Sequence, residues 1–295
     1  MKFRTALILI LFFLLFLVSC ATTEKESRAP IVGIAWRDDT SSSAFKRVKE
    51  YLEEEGAEVI VLEKAMTADL EYYEDTAIKD DYLQFDFSLS SDAVDIVKTT
   101  ENIIEPASLG KVDLVVFTGG EDISPYFYGD SYLSDYPIYN PDRDISDYLT
   151  MRLAMEKGIP IFGICRGMQM MAIYSGASLV IDLPQYFAER GEEEYRHRSV
   201  TDSYTFHSVT IVEDSFLSGL DLDRVASSHH QALLAGGSGD YKVLAVDGEI
   251  VEAIEIEPSS YGIQFHPEFF VDFKDSKEWC VSLEILKKVI AEAMN

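Results

Sequence analysis

Apolar residues fall in short, nearly continuous runs, and polar stretches of helical rhythm lie between them. Ile31–Trp36, Ala57–Leu62, Val112–Phe117 and Ile159–Ile164 are such runs. A strand that is apolar on both sides needs cover on both sides, which is the situation in a parallel sheet. Between the first two runs, Phe45, Val48, Tyr51 and Leu52 recur at helical spacing, with a cap available at Ser41–Ser43 and a stop at Gly56. Strand, helix, strand predicts a βαβ unit and an α/β fold. A second helix carries Leu149, Leu153 and Ala154 and ends at Gly158. Arg143–Asp144 at its start reads as a salt bridge, with a substrate clamp as the alternative. After Gly176 the rhythm shortens. Ser178–Ile181, Thr205–Val212, Tyr241–Val246, Ile250–Ile256 and Tyr261–Phe265 read as strands, Asp247–Gly248 as a hairpin turn, and residues 276–293 as a closing amphipathic helix. Residues 63–108 interrupt the pattern. They read as an insertion with some helix over 93–104, either a lid or substrate wall or a surface excursion.

The run at Ile159 ends abruptly in Gly163-Ile164-Cys165-Arg166-Gly167, and a helical segment, Met168 to Tyr174, follows. Strand, sharp turn, helix is the setting of a nucleophile elbow, here with cysteine. Small flanking residues keep Cβ atoms out of the turn. The reactive species is the thiolate, and a helix start favours an anion. The third run leads into Thr118-Gly119-Gly120-Glu121-Asp122, where paired glycines let backbone N–H groups approach a ligand and serve as an oxyanion hole. His266 closes an apolar run, so it falls at a strand end as Cys165 does. There an imidazole can take the thiol proton and later protonate a leaving amine. Glu268, two residues on, can hold that imidazole in place.

Composition narrows the partners. The 295-residue chain has a formal net charge of -27 and is 47% hydrophobic. Such acidity argues against nucleic acid and against electrostatic docking on anionic lipid. The first twenty residues have a different character: Lys2 and Arg4 precede the apolar run Ala6–Val18, which ends in Leu17-Val18-Ser19-Cys20. The run is too short to span a bilayer and fits a signal peptide. Residues 21–29 read as a flexible tether, so the folded domain is expected over 30–295. Cys165 and Cys280 are then the remaining thiols, both expected free, with Cys280 among core residues of the last helix. His197, His207, His229 and His230 show no recognisable ligand spacing, so no metal is expected.

Three stretches together, Thr118-Gly119-Gly120, Gly163–Gln169 and Gln264-Phe265-His266-Pro267-Glu268, resemble the class I glutamine amidotransferase superfamily. Thr118–Gly129, Arg143–Asp144 and Ser228-His229-His230-Gln231 narrow the resemblance to the C26-type γ-glutamyl hydrolases, in the γ-glutamyl-γ-aminobutyrate hydrolase branch. Leu17–Cys20 resembles the bacterial lipobox. The resemblance implies a flavodoxin-like three-layer sandwich with a mainly parallel central sheet. It implies a triad of Cys165, His266 and Glu268 and an oxyanion hole from the backbone of Gly120 and Arg166, with Gly119 as an alternative donor. It places Gln169, His230 and Gln231 near a small γ-glutamyl substrate and requires no cofactor. Asp147, where the branch usually carries Glu, Ala172-Ile173-Tyr174, where Asn is common, and the long 63–108 region depart from the pattern, in positions expected to bear on substrate choice and not on the triad. The implied activity is hydrolysis of γ-glutamyl amides. A glutaminase subunit feeding ammonia to a synthase, or an idle surface lipoprotein, are the alternatives. The oligomeric state stays open, a homodimer among the options.

The lipobox resemblance implies an exported protein anchored through lipid on Cys20, at a periplasmic or surface face of a bacterial membrane. Cys20→Ser is expected to leave the membrane fraction or to remain unprocessed. Fractionation and mass spectrometry of the mature N-terminus check this, and a lipid-free wild type that stays soluble without detergent would overturn it.

Overall fold

The computed structural model describes residues 28–130, 138–192, 197–198, 204–256 and 259–295. The leader, Cys20 and most of the tether lie outside them. In chain order, β1 (Ile31–Ile34), α1 (Ser43–Glu53) and β2 (Glu58–Val61) form the first βαβ unit, and Ser42 caps the helix by accepting from the Phe45 N–H. The insertion holds β3 (Met66–Thr67), α2 (Ser91–Thr99) and β4 (Ile103–Ile104). Then come β5 (Leu114–Phe117), α3 (Pro141–Lys157), β6 (Ile161–Ile164), α4 (Arg166–Tyr174) and α5 (Leu183–Ala188). The last part comprises β7 (Thr205–His207), β8 (Thr210–Ile211), β9 (Val225–Ser227), β10 (Lys242–Asp247), β11 (Ile250–Ile256), β12 (Ser260–Ile263) and α6 (Lys277–Ala293).

Eight strands form one sheet in the order β2-β1-β5-β6-β12-β11-β10-β8. From β2 to β12 every neighbour is parallel, and from β12 to β8 every neighbour is antiparallel. The buried strands show why their sequences are continuously apolar. Along β5, Val115 and Phe117 enter the core under α3 and α4, while Leu114 and Val116 enter the core under α1 and α6. These two cores, on opposite faces of the sheet, give the three-layer α/β architecture that the family resemblance implies. Among the described residues no helix is long and apolar enough to cross a membrane.

Several boundaries differ from the sequence-based expectation. Thr205–Val212 is not one strand. His207 pairs with Val225 in a small separate sheet, Val209 donates to Leu222, and Thr210–Ile211 joins the edge of the main sheet. Ser178–Ile181 makes a single bridge, Val180 to Ala232, rather than a strand. The insertion has a helix, but one that starts at Ser91 and ends at Thr99, capped by Ser90. Its Ala93, Val94 and Val97 join the core under α3, with Leu70, Ile78 and Leu89. Leu89 donates to the Ser124 hydroxyl and Lys98 to the Phe127 carbonyl. The insertion therefore braces the 118–130 segment from behind. Cys280 is exposed, against the expectation of a core position, because the buried stripe of α6 runs through Trp279, Ser282, Ile285, Leu286 and Val289. Cys280 falls one step off that stripe.

Leu286 of α6 is fully buried in the core that also holds Leu114 and Val116 of β5. Leu286→Ala is expected to cost about 2–5 kcal/mol of unfolding free energy. In urea melts this appears as a lower midpoint at unchanged slope. A midpoint equal to that of wild type would contradict this packing.

Candidate active site

The carboxyl ends of the parallel strands point the same way, and loops leaving them meet at one place. Arg37 follows β1, Thr118–Gly120 follow β5, Cys165 follows β6 and His266 follows β12. Cys165 has φ +52° and ψ -107°, a conformation that L-residues avoid, held between a strand end and the first turn of α4. Its N–H donates to Ile263 O at 2.7 Å, and its carbonyl accepts from Gln169 N at 3.1 Å. The flanking glycines are required by contact. A Cβ on Gly163 would lie 2.6 Å from the Gly167 and Met168 backbone, and one on Gly167 only 2.3 Å from Phe117 O.

His266 Nδ1 lies 2.7 Å from Glu268 Oε1, and both residues are buried. The carboxylate accepts at Nδ1, which leaves Nε2 for the cysteine side. A Cβ added to Gly119 would lie 2.8 Å from His266 Cε1 and 3.5 Å from Cys165 Cβ, so imidazole and thiol converge on one glycine. Tyr204 packs edge-on against the imidazole, with ring centroids 5.1 Å apart. Burial works against an imidazolium here, but Glu268, Tyr204 and Cys165 outweigh it and raise the pKa of His266 well above the ordinary value.

The glycine turn is set by arginines. Arg143 donates to Thr118 O at 2.8 Å and Gly119 O at 3.1 Å, and Arg37 donates to Gly119 O at 2.9 Å. In a trans peptide the N–H points opposite to the C=O. Drawing these carbonyls toward the guanidinium groups therefore turns the N–H of Gly119 and of Gly120 the other way. No described residue accepts from either N–H, nor from that of Arg166. Gly120 borders the cavities on both sides of Cys165, and a Cβ there would sit 1.8 Å from Arg143 Nη1.

Arg143 and Asp144 do not form the pair expected from sequence; each faces a different partner. Arg143 pairs with Glu121 at 2.7 Å and approaches Asp147 at 3.4 Å. Arg166 pairs with Asp144 at 2.5 Å and with Asp147. Asp147 is thus buried between two guanidinium groups, away from the cavity, and Ala172 and Ile173 are buried in the core. These departures from the family pattern serve packing and support. Burial lowers the Arg143 pKa to about 10, with Arg166 adding to the effect. Burial would raise that of Glu121, but Arg143 and Arg166 hold it at about 2.

Two cavities of about 380 and 210 Å³ meet at Gly120, Cys165 and Ser228. The larger is lined by Glu121, Asp122, Gln169, Arg198, His230 and Gln231. The smaller is lined by Arg37, Tyr204, His266 and Glu268. All three residues expected near the substrate are here. Gln169 donates to Gln231 O at 2.8 Å, and His230 Nε2 lies 2.8 Å from Asp122 Oδ1. The Gln231 side chain is turned away, accepting from Ile123 N and donating to Tyr128 OH. The 63–108 insertion contributes to neither cavity lining among the described residues. Arg37 and Tyr204 were not singled out in the sequence. Arg37 could have been found from its place just beyond a parallel strand, whereas Tyr204 carries no local signal. The histidine spacing also misled: His197, His207 and His229 do gather, with Asp247 and Glu252, in a cluster beside the cavity wall.

The Peptidase C26 family model matches residues 59–268, and the chain belongs to that family. It is 30% identical over 186 residues to γ-glutamyl-γ-aminobutyrate hydrolase PuuD of Escherichia coli, covering 59% of this chain and 69% of that protein. It is 33% identical over 174 residues to YvdE of Lactococcus lactis, described as glutamine amidotransferase-like, covering 58% and 72%. Among solved structures, a GMP synthase component from Thermoplasma acidophilum superposes with a TM-score of 0.52 at 16% identity, over 90% of this chain and 95% of that one. That likeness is one of fold.

The raised pKa of His266 has a thermodynamic counterpart. The stabilisation it brings is complete below the unfolded-state value of about 6.5 and is lost as pH rises through the higher folded value. The Tm difference between wild type and His266→Gln is therefore expected to be constant in mild acid and to shrink toward alkaline pH. Calorimetry across that range checks it, and a difference that does not vary with pH would contradict it.

Proposed function

We propose that the protein is a cysteine hydrolase that cleaves γ-glutamyl amide bonds through a γ-glutamyl thioester on Cys165. The observation that carries this reading is the meeting of Cys165, the His266–Glu268 pair and N–H groups with no described acceptor at the ends of neighbouring strands. The identity to the Escherichia coli γ-glutamyl-γ-aminobutyrate hydrolase supports the substrate class.

In this reading the Cys165 thiolate attacks the γ-carbonyl, and the oxyanion is met by the N–H of Gly120 and of Arg166, with Gly119 as an alternative donor. The imidazolium of His266 gives its proton to the leaving amine as the C–N bond breaks. His266 then takes a proton from water as it attacks the thioester. The proton returns to sulfur, and the free γ-carboxylate is released. Glu268 holds the ring and stabilises its cationic form. Glu121 and Asp122 offer carboxylates to the α-ammonium of the glutamyl group, and Arg198 offers a guanidinium to its α-carboxylate, all in the larger cavity. Gln169 and His230 shape the same wall. The lipobox makes this an exported enzyme held at a bacterial membrane through Cys20.

The test is a panel of γ-glutamyl amines, γ-glutamyl-γ-aminobutyrate and glutamine, with acid quench and mass spectrometry of the trapped acyl-enzyme. Cys165→Ala is expected to lower kcat by on the order of 10⁴-fold with the fold intact, and His266→Ala nearly as much. Glu268→Gln is expected to be milder, since no reacting group is removed, and the Cys165/His266 double variant little worse than either single one. An adduct on another residue, or wild-type turnover by Cys165→Ala, would overturn the assignment. Turnover of glutamine alone would favour the glutaminase alternative.

A further inference from the structure

Three imidazoles and two carboxylates that the proposed reaction does not use meet behind the His229–Gln231 wall of the larger cavity. His197 precedes Arg198, His207 ends β7, His229 follows β9, Asp247 ends β10 and Glu252 lies within β11. His197 and Glu252 are wholly buried, and His229 and His207 nearly so. His197 Nε2 lies 3.3 Å from Asp247 Oδ2 and 3.4 Å from Glu252 Oε1. His229 Nε2 is 3.8 Å and His207 Nε2 3.9 Å from that same Glu252 oxygen. The ligand atoms of His197, His229 and Glu252 all lie within 4.8 Å of one another.

These separations are long for hydrogen bonds. Ligand atoms about 2.0–2.1 Å from a tetrahedral ion, however, stand about 3.3 Å from each other. Glu252 has both carboxylate oxygens buried without a hydrogen-bond partner, as is the Nε2 of His229 and of His207. No described lysine or arginine pairs with Glu252; its ion-pair partners are the three histidines. The ring orientations add a second constraint. His229 Nδ1 lies 3.0 Å from Gln231 O and His207 Nδ1 3.1 Å from Ser208 O. A carbonyl accepts only, so each Nδ1 carries the hydrogen. In the neutral ring each Nε2 then presents a lone pair to the lone pairs of Glu252. What such an arrangement lacks is an electron-pair acceptor. Backbone bonds pre-set it, since His229 N donates to His197 O at 2.8 Å and the Ser227 hydroxyl reaches the same carbonyl.

We propose that His197, His229 and Glu252 bind a divalent ion of the zinc class, with His207 and Asp247 beside them. Two imidazoles and a carboxylate make a borderline donor set suited to zinc. The carbonyl partner of His229 is the kind of outer-shell contact that usually orients a ligating histidine. Burial shuts the site off from bulk solvent. The site would tie the 197 segment, the 229 loop and the centre of β11 together directly behind the cavity wall.

The experiment uses the full chain purified without a polyhistidine tag, and its readout is independent of turnover. Elemental analysis after gel filtration is expected to give about one zinc per chain. Chelator-treated protein given Zn²⁺ is expected to gain about 5 °C or more in Tm. Co²⁺ substitution is expected to produce the visible bands of a tetrahedral nitrogen–oxygen site, unchanged in Cys165→Ser and lost in Glu252→Gln. If Glu252→Gln does not fold, the wild-type cobalt spectrum decides, because a site on Cys165 or Cys280 would add thiolate charge-transfer absorption. Zinc below about a tenth of an equivalent after loading, an unmoved Tm, thiolate bands, or cobalt bands that persist in a folded Glu252→Gln would each overturn the proposal.

Discussion

Two buried guanidinium groups hold the candidate site together. Arg143 rises from the first turn of α3 to grip the carbonyls of the glycine turn, and Arg166, the first residue of α4, is fixed by Asp144 and Asp147 near that same end of α3. One end of one helix thereby sets the positions of both the glycine N–H groups and the cysteine elbow. Ion pairs taken out of water contribute little net stability, because desolvation offsets their attraction. Removing one partner is a different matter, since it strands a charge in the interior at a cost of about 3–5 kcal/mol. The network is therefore better understood as a specification of geometry than as a source of stability. It also explains why Gly120 has no side chain: Arg143 occupies the space.

The sheet divides labour along its width. The parallel half delivers Arg37, the glycine turn, Cys165 and His266 from strand ends, each on a loop anchored in a two-faced core. The antiparallel half, β11, β10 and β8, carries no residue of the His266–Glu268 pair or the elbow. It backs the His229–Gln231 wall instead, through Glu252 and the Leu234–Ile250 bridge. The distinction matters for interpretation, since the parallel half is common to many chemistries, whereas the wall shapes what fits.

Much of this was legible in the sequence. Continuous apolar runs marked the parallel strands because burial on both faces leaves no polar position, and glycine flanks marked the elbow because the turn excludes Cβ atoms. The Cys165, His266 and Glu268 positions could be read because strand-end residues are displayed at a common edge. What was not legible depended on partners distant in sequence. Arg143 and Asp144 looked like one local pair, yet each is bound to a residue about twenty positions away. Cys280 sits among apolar neighbours but on the wrong side of α6, a matter of about 100° of helical phase. His197, His207 and His229 have no regular spacing because three separate segments supply them. Thr205–Val212 split because half of it serves a small second sheet, which local alternation does not show.

Cys165 stands where two chambers touch, with Gly120 and Ser228 as the only other described residues lining both. Anything carried on the sulfur therefore lies on the boundary that the two chambers share. Of the residues on that boundary, Ser228 is the one that can change in size without displacing Arg143, since a Cβ on Gly120 would collide with that guanidinium.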